Sequence, residues 1–310
     1  MTKSVTGKSI KRIWKYSPLY LMMLPGVVYL LINSYLPMFG LVIAFKDINF
    51  TKGIWKSDWV GLQNFKFLFQ TSDAFIITRN TLLYNIAFIL IGLVVAVGFA
   101  ILLNEVKSKI ASRLYQSIII LPFLISMVLV SYLVFSMLSI ESGFMNKTVL
   151  PALGIDPISW YNEPKYWPFI LTMVQVWKGA GYACIIYLAA IIGIDPEYYE
   201  AATLDGASKW QQIRKITLPL ISPVITMLTL LQIGRIFYSD FGLFYQVPMN
   251  AGALFSTTNV IDTYVFRGLL QLGNIGMSSA AGFYQSLVGF MLVMISNFVV
   301  RKINKENALF

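Results

Sequence analysis

Apolar residues run along this 310-residue chain in long continuous stretches, without the strict alternation of a half-buried strand. Six stretches, at 18–45, 79–104, 114–139, 166–193, 218–240 and 279–300, are long enough to cross a bilayer, whose core of roughly 30 Å is spanned by about 20 residues of helix. Backbone in hydrocarbon must satisfy its own hydrogen bonds, which leaves helices or closed barrels. Unbroken runs favour helices, so the pattern predicts an all-α, polytopic membrane protein with six transmembrane helices. The longest polar intervals, 46–78, 140–165 and 241–278, follow the first, third and fifth spans and so share one side of the membrane.

Composition agrees with the pattern. With 57% apolar and 12% charged residues and a mean hydropathy of +0.69, the chain has too little polar surface to cover a soluble globule. The net charge of +10 would suit nucleic acid, but its distribution points to a membrane instead. Of the 24 Lys and Arg residues, 14 fall in 1–17, 104–113, 194–217 and 301–310, and only 7 in the three longer intervals. By the positive-inside rule both termini and the 194–217 interval are cytoplasmic. Attraction to an anionic leaflet accounts for the charge without nucleic acid. The expected division is a basic cytoplasmic tail at 1–17, a first transmembrane helix at 18–45, an external loop at 46–78, a core at 79–301 and a cytoplasmic tail at 302–310. The first helix lacks an A-x-A cleavage site and is expected to be retained.

Within the first external loop, Val60 to Phe69 has apolar residues near a helical period and is expected to form a short interfacial helix. Trp160, Tyr161, Tyr166 and Trp167 are expected as an aromatic belt. Prolines 25, 37, 122, 219 and 223 lie within or at the ends of apolar segments and predict kinks.

Between the fourth and fifth segments, Asp195-Pro196-Glu197 has the form of a helix start, with Asp195 as N-cap and Pro196 at the first helical position. The helix would carry Tyr198, Tyr199, Glu200, Ala201 and Ala202, and Asp205-Gly206 would end it in a turn. The two alanines remove bulk and permit close approach by another surface. Ile216-Thr217-Leu218-Pro219 then leads into the fifth segment. The pattern E-A-A, three residues, G, nine residues, I-x-L-P arises by chance at a given start with probability on the order of 10⁻⁸.

That pattern resembles the EAA loop of the membrane subunits of binding-protein-dependent ABC importers. The chain is similar to the carbohydrate-uptake permeases, in the branch that serves oligosaccharides and polysaccharide fragments. The similarity rests on Leu24-Pro25-Gly26, Val60-Gly61-Leu62-Gln63-Asn64-Phe65, Arg79-Asn80-Thr81-Leu82, Leu121-Pro122, Ile185-Ile186-Tyr187-Leu188-Ala189-Ala190 and Val260-Ile261-Asp262-Thr263-Tyr264-Val265. The short external loops depart from the maltose-importer subunit, which has a large extra external domain and two additional N-terminal helices.

The resemblance implies the ABC type I importer permease fold, with the EAA coupling loop at 194–219. Glu200, Ala201, Ala202, Asp205 and Gly206 would couple to a cytoplasmic ATPase, with Ile216, Leu218 and Pro219 as the hinge into the fifth helix. It further implies a second homologous permease subunit, two ATPase subunits that bind Mg-ATP, an external solute-binding protein and a carbohydrate substrate moved inward by alternating access. The setting would be the bacterial cytoplasmic membrane.

The residues leave little room for an enzyme. There is no histidine, and the single cysteine, Cys184, lies in an apolar segment. Gly7-Lys8-Ser9 echoes a phosphate loop, but Thr2 stands where its first glycine is required. No cofactor is expected on this chain. A secondary transporter would call for acids within the membrane, and an enzyme acting on lipid-linked glycans for a catalytic acid or metal cluster. Neither set is evident.

Ionisable residues in membrane segments usually face a cavity or a partner. Lys178 and Arg235, with Asp240 near the outer end of the fifth segment, are therefore candidates for a substrate path. Arg235 could instead snorkel or pair with Asp240. Trp177, Tyr182, Tyr187, Phe237, Tyr238, Phe241 and Tyr245 share these two segments, and aromatic faces beside polar donors suit sugar rings. Trp177, Tyr182 and Tyr238 join the candidates. Two cations beside a sugar path also suggest an acidic oligosaccharide.

Overall fold

A computed structural model describes residues 15–303. The tails expected at 1–17 and 302–310 lie almost wholly outside the described residues. Among the described residues five helices are long and apolar enough to cross a membrane. They are α1 (Ser17–Phe45), α2 (Asp73–Asn104), a helix spanning Pro164–Ile192, a helix spanning Lys209–Ile233 and a last one beginning at Ile275. The third expected span is instead two helices, α3 (Lys109–Leu124) and α4 (Met127–Leu138), bent by 96° at the break. Counted as one, that pair makes six spans.

The break follows from local chemistry. Pro122 has no N–H to extend the ladder, Ile125 leaves the helix with an extended backbone, and Ser126 caps α4 by accepting from the Leu129 N–H at 3.4 Å. The long helix α5 (Trp167–Ile192) packs along both α2 and α3. Gly181 makes the α3 contact possible, because a β-carbon there would overlap the Ile119 carbonyl. Beyond α5 come α6 (Pro196–Leu204) and α7 (Lys209–Ile233), followed by the short helices α8 (Phe241–Gln246) and α9 (Ile261–Leu270) and the last helix α10 (Ile275–Ile303).

Three apolar clusters hold the bundle. One joins α2 and α5 to α7 through Ala96, Ala100, Cys184, Leu188 and Ile221. A second lies beside α4 and α8 and includes Tyr84, Val130, Trp167 and Phe244. Trp167 is fully buried there and donates its indole N–H to the Trp160 carbonyl at 2.7 Å. It therefore belongs to the core and not to an aromatic belt. The third includes Ile77, Phe237, Ile261 and Ala280.

Phe65 and Phe67 are also buried in this third cluster. Their segment, expected as a short interfacial helix, forms a 3-10 turn at Gln63–Phe65 and one α-turn at Phe67–Gln70. Asn64 ties it to the end of α1 by donating to the carbonyls of Ala44 and Lys46 at 3.0 and 2.9 Å. A minimal antiparallel ladder, β1 (Lys46–Asp47) with β2 (Asp58–Trp59), closes the same loop. Among the described residues the stretch Ser17–Leu30 of α1 finds no cover, and none of its residues is buried. Its apolar surface faces the surroundings.

Candidate functional site

The segment between α5 and α7 is a hairpin held by its own side chains. Asp195 caps α6 by accepting from the Glu197 N–H at 3.0 Å, and Gly206 ends it at φ +77°, a conformation that favours glycine. Ser208 and Gln211 form a reciprocal capping box at the start of α7. The buried Gln212 donates to the Thr203 hydroxyl at 3.0 Å and the Ala207 carbonyl at 3.4 Å, while the Tyr199 and Thr217 hydroxyls lie 2.9 Å apart. These bonds lock α6 against α7.

Over Ile213–Thr217 the helix widens to a π-turn, in which the Leu218 N–H reaches back to the Ile213 carbonyl. Pro219 follows at once, and its missing N–H suits a locally loosened ladder. Ile216 and Leu218 are half-buried and Pro219 is exposed. Glu200, Ala201, Asp205 and Gly206 are exposed and Ala202 is half-buried. Around them Tyr198, Leu204 and Trp210 are left 57%, 89% and 69% exposed, an apolar surface with nothing among the described residues to cover it.

The second feature is a cavity of about 580 Å³ walled by α2, α5, α7 and the residues after α7. Four of the six path candidates, Tyr182, Arg235, Tyr238 and Asp240, line it together. Tyr182 stacks on Phe123 with ring centroids 4.9 Å apart. Asp240 caps α8 by accepting from the Leu243 N–H at 3.0 Å. Among the described residues Arg235 makes no ion pair, so the alternative of a pair with Asp240 is not realised.

The other two candidates lie elsewhere. Trp177 borders a separate, almost wholly apolar cavity with Ile91, Phe99, Ile118, Phe169 and Met173. Lys178 turns to the α3–α4 break, where its ammonium donates to the carbonyls of Pro122 at 3.2 Å, Phe123 at 3.0 Å and Ile125. Its three donors are thereby all committed to orphan carbonyls at a helix C-terminus, where a cation is also favoured by the helix dipole. Of the remaining rings, Phe237 is buried in the core and Phe241 and Tyr245 stack on each other at 4.9 Å beside Phe266. Tyr187 borders the cavity but is only 1% exposed.

The fifth span also ends earlier than its hydropathy suggests. Helix α7 stops at Ile233, and 234–240 is non-helical. Asn85, Gln175 and Gln232 line the cavity and were missed. A polar residue inside an otherwise apolar run was the signal available for them. Outside the spans, burial raises the Asp262 carboxyl, although bonds from Ser239 and Gln285 oppose the shift, and burial lowers the Arg267 guanidinium. Arg267 donates to Asn250 at 2.9 Å and to Asn259, and lies 4.1 Å from the Phe255 ring. It thereby fastens both ends of the loop before α9.

A bundle of long apolar helices is the fold that the sequence resemblance implied. Residues 88–305 match the family described as "Binding-protein-dependent transport system inner membrane component". The chain belongs to that family. This permease is 38% identical over 289 residues to the "Polygalacturonan/rhamnogalacturonan transport system permease protein YteP" of Bacillus subtilis (strain 168), covering 93% of this chain and 89% of that one. Its fold is similar to that of a chain from the crystal structure of a "bacterial ABC transporter involved in the import of the acidic polysaccharide alginate", with a TM-score of 0.86, 34% identity and coverage of 96% of this chain and 99% of the other. It is also similar, at a TM-score of 0.84 and 35% identity, to a chain of the "bacterial alginate ABC transporter in complex with alginate pentasaccharide-bound periplasmic protein", covering 96% of this chain and 98% of that one.

Proposed function

We propose that this permease is the membrane subunit of an ATP-driven importer that carries an acidic oligosaccharide inward from an external binding protein by alternating access. The observation that carries this reading is an unpaired guanidinium, Arg235, in a cavity shared with the exposed rings of Tyr182 and Tyr238. A sugar ring offers an apolar face to tyrosine, and a uronate offers a carboxylate to arginine. YteP is named for polygalacturonan and rhamnogalacturonan transport and the other importer for the acidic polysaccharide alginate, which supports the same substrate class.

The chain supplies transport geometry and its partners supply the rest. Mg-ATP binds on two cytoplasmic ATPase subunits, and a second homologous permease completes the path. Glu200, Ala201, Ala202, Asp205 and Gly206 dock an ATPase, and Ile216, Leu218 and Pro219 carry its movement into α7. The exposed Tyr198, Leu204 and Trp210 support this docking role, because no described residue covers them. Both termini and the hairpin face the cytoplasm of a bacterium, as the Lys and Arg distribution suggests.

The test is uptake by proteoliposomes that contain the assembled importer and its binding protein. Oligogalacturonides should enter in an ATP-dependent manner, and neutral maltodextrins of similar length should compete poorly. Equal uptake of both would overturn the acidic-substrate reading, and uptake without ATP would overturn the coupling. Topology has its own test in cells carrying Cys184→Ser. A cysteine at Ser208 should resist impermeant thiol reagents and one at the exposed Ser256 should react.

A further inference from the structure

The backbone after α7 poses an accounting problem. From Gly234 to Tyr238 the amide groups of residues 234, 235, 236 and 238 bond back to the carbonyls of Leu230, Gln232, Ile233 and Arg235 at 2.8–3.0 Å. The carbonyls of Phe237 and Tyr238 and the N–H of Ser239 have no backbone partner there. Buried backbone groups are seldom left unpaired. Here three side chains from three other helices meet these three groups. Gln285 on α10 donates to the Phe237 carbonyl at 2.9 Å, Asn85 on α2 donates to the Tyr238 carbonyl at 3.1 Å, and Asp262 on α9 accepts from the Ser239 N–H at 2.8 Å. Gln285 also donates to Asp262 at 3.0 Å, so two of the three are joined.

We infer that Asp262, Gln285 and Asn85 are positioning residues of the transport site, which hold residues 234–240 in the one conformation that presents Arg235 and Tyr238 to the cavity. A carboxylate with no cation beside it is a costly acceptor for two neutral N–H donors. Among the described residues Asp262 makes no ion pair, and the charged group that influences it is another acid, Asp240. A continued helix would need none of these side chains. The break carries four neighbours of the cavity, Arg235, Tyr238, Ser239 and Asp240. Phe237 points the other way into the core, 2% exposed, and anchors the segment from behind. The segment is thus fixed on its apolar side by Phe237 and along its backbone by the three polar grips.

Only the transport arm of the test rests on the sugar-path reading. In the assembled importer with Cys184→Ser, a nitroxide on a cysteine at Tyr238 reports the mobility of the break whatever the substrate is. Asp262→Ala and Gln285→Leu should sharpen its spectrum, whereas Asp262→Asn, which keeps an acceptor oxygen and the same shape, should leave it broad. Unchanged spectra in both disruptive variants would overturn the inference. In the transport arm, Asp262→Ala should raise the half-saturating oligogalacturonide concentration at least tenfold. Added to Arg235→Met it should raise it less than twofold further, because its effect runs through residues already disabled. Full additivity would mean a merely structural role and would also overturn the inference. If Arg235→Met leaves oligogalacturonide uptake intact, the sugar-contact reading fails while the spectra still decide the positioning. Should Asp262→Ala not assemble, Gln285→Leu and Asn85→Leu carry both arms.

Discussion

The hairpin and the cavity wall are built over different lengths of sequence. In the hairpin the side-chain bonds that lock α6 against α7 join residues no more than 18 positions apart, as in the contacts of Gln212 with Thr203 and of Tyr199 with Thr217. Its long-range link, Lys209 with Glu105, is an exposed ion pair at 3.2 Å. In the cavity wall the break after α7 is gripped from 23, 48 and 153 positions away. A short-range device can be read from a motif, and it should fail through a single backbone position. A long-range device has no motif, and it should fail through residues that look unrelated in the sequence.

Gly206→Pro should give the largest effect. It removes the N–H that bonds the Thr203 carbonyl at 3.0 Å and imposes a negative φ where the turn needs +77°. Uptake by the reconstituted importer should be abolished while the subunit still inserts in the membrane. Persisting uptake would remove the contrast between the two regions.

Lys178→Met comes next. It leaves the carbonyls of Pro122, Phe123 and Ile125 without their donor, at a cost of about 1.5–3 kcal/mol. The thermal stability of the purified complex should fall, and uptake of acidic and neutral sugars should fall together. A loss confined to acidic sugars would return Lys178 to the substrate path. Arg235→Met should show that selective loss instead. Uptake of oligogalacturonides should drop roughly ten- to hundredfold, the range expected for one charge-assisted hydrogen bond, with thermal stability unchanged. Trp177→Leu should have the smallest effect, within about twofold on uptake, since its apolar cavity is separate from the polar one and surface substitutions of this kind perturb little. A large loss there would mean that both cavities belong to the path.

Much of the architecture was legible because lipid imposes a simple rule. Any long apolar run must be a helix that satisfies its own backbone, so the helices at 18–45, 79–104, 166–193 and 279–300 appear close to where hydropathy puts them. The hairpin was legible because caps and turns act within a few residues. Asp195 and Gly206 do the same chemistry in the fold as in the sequence pattern. Two spans were less faithful to their hydropathy. The run at 114–139 bends by 96° at Ile125–Ser126, and the run at 218–240 leaves the helix after Ile233. Hydropathy measures transfer into lipid and is blind to partners that make a break tolerable.

The sequence by itself determined a helical membrane bundle, its EAA hairpin and its family, since each depends on composition or on short-range chemistry. Only the tertiary structure decided that Lys178 holds a helix break while Arg235 is free to face a cavity. Both are lone cations in apolar segments, and nothing local separates them. The carbonyls of Pro122, Phe123 and Ile125 lie more than fifty positions from Lys178, and packing of α3 against α5 brings them within reach. Among the described residues Arg235 is given no comparable set of acceptors, so its charge is left at the cavity wall.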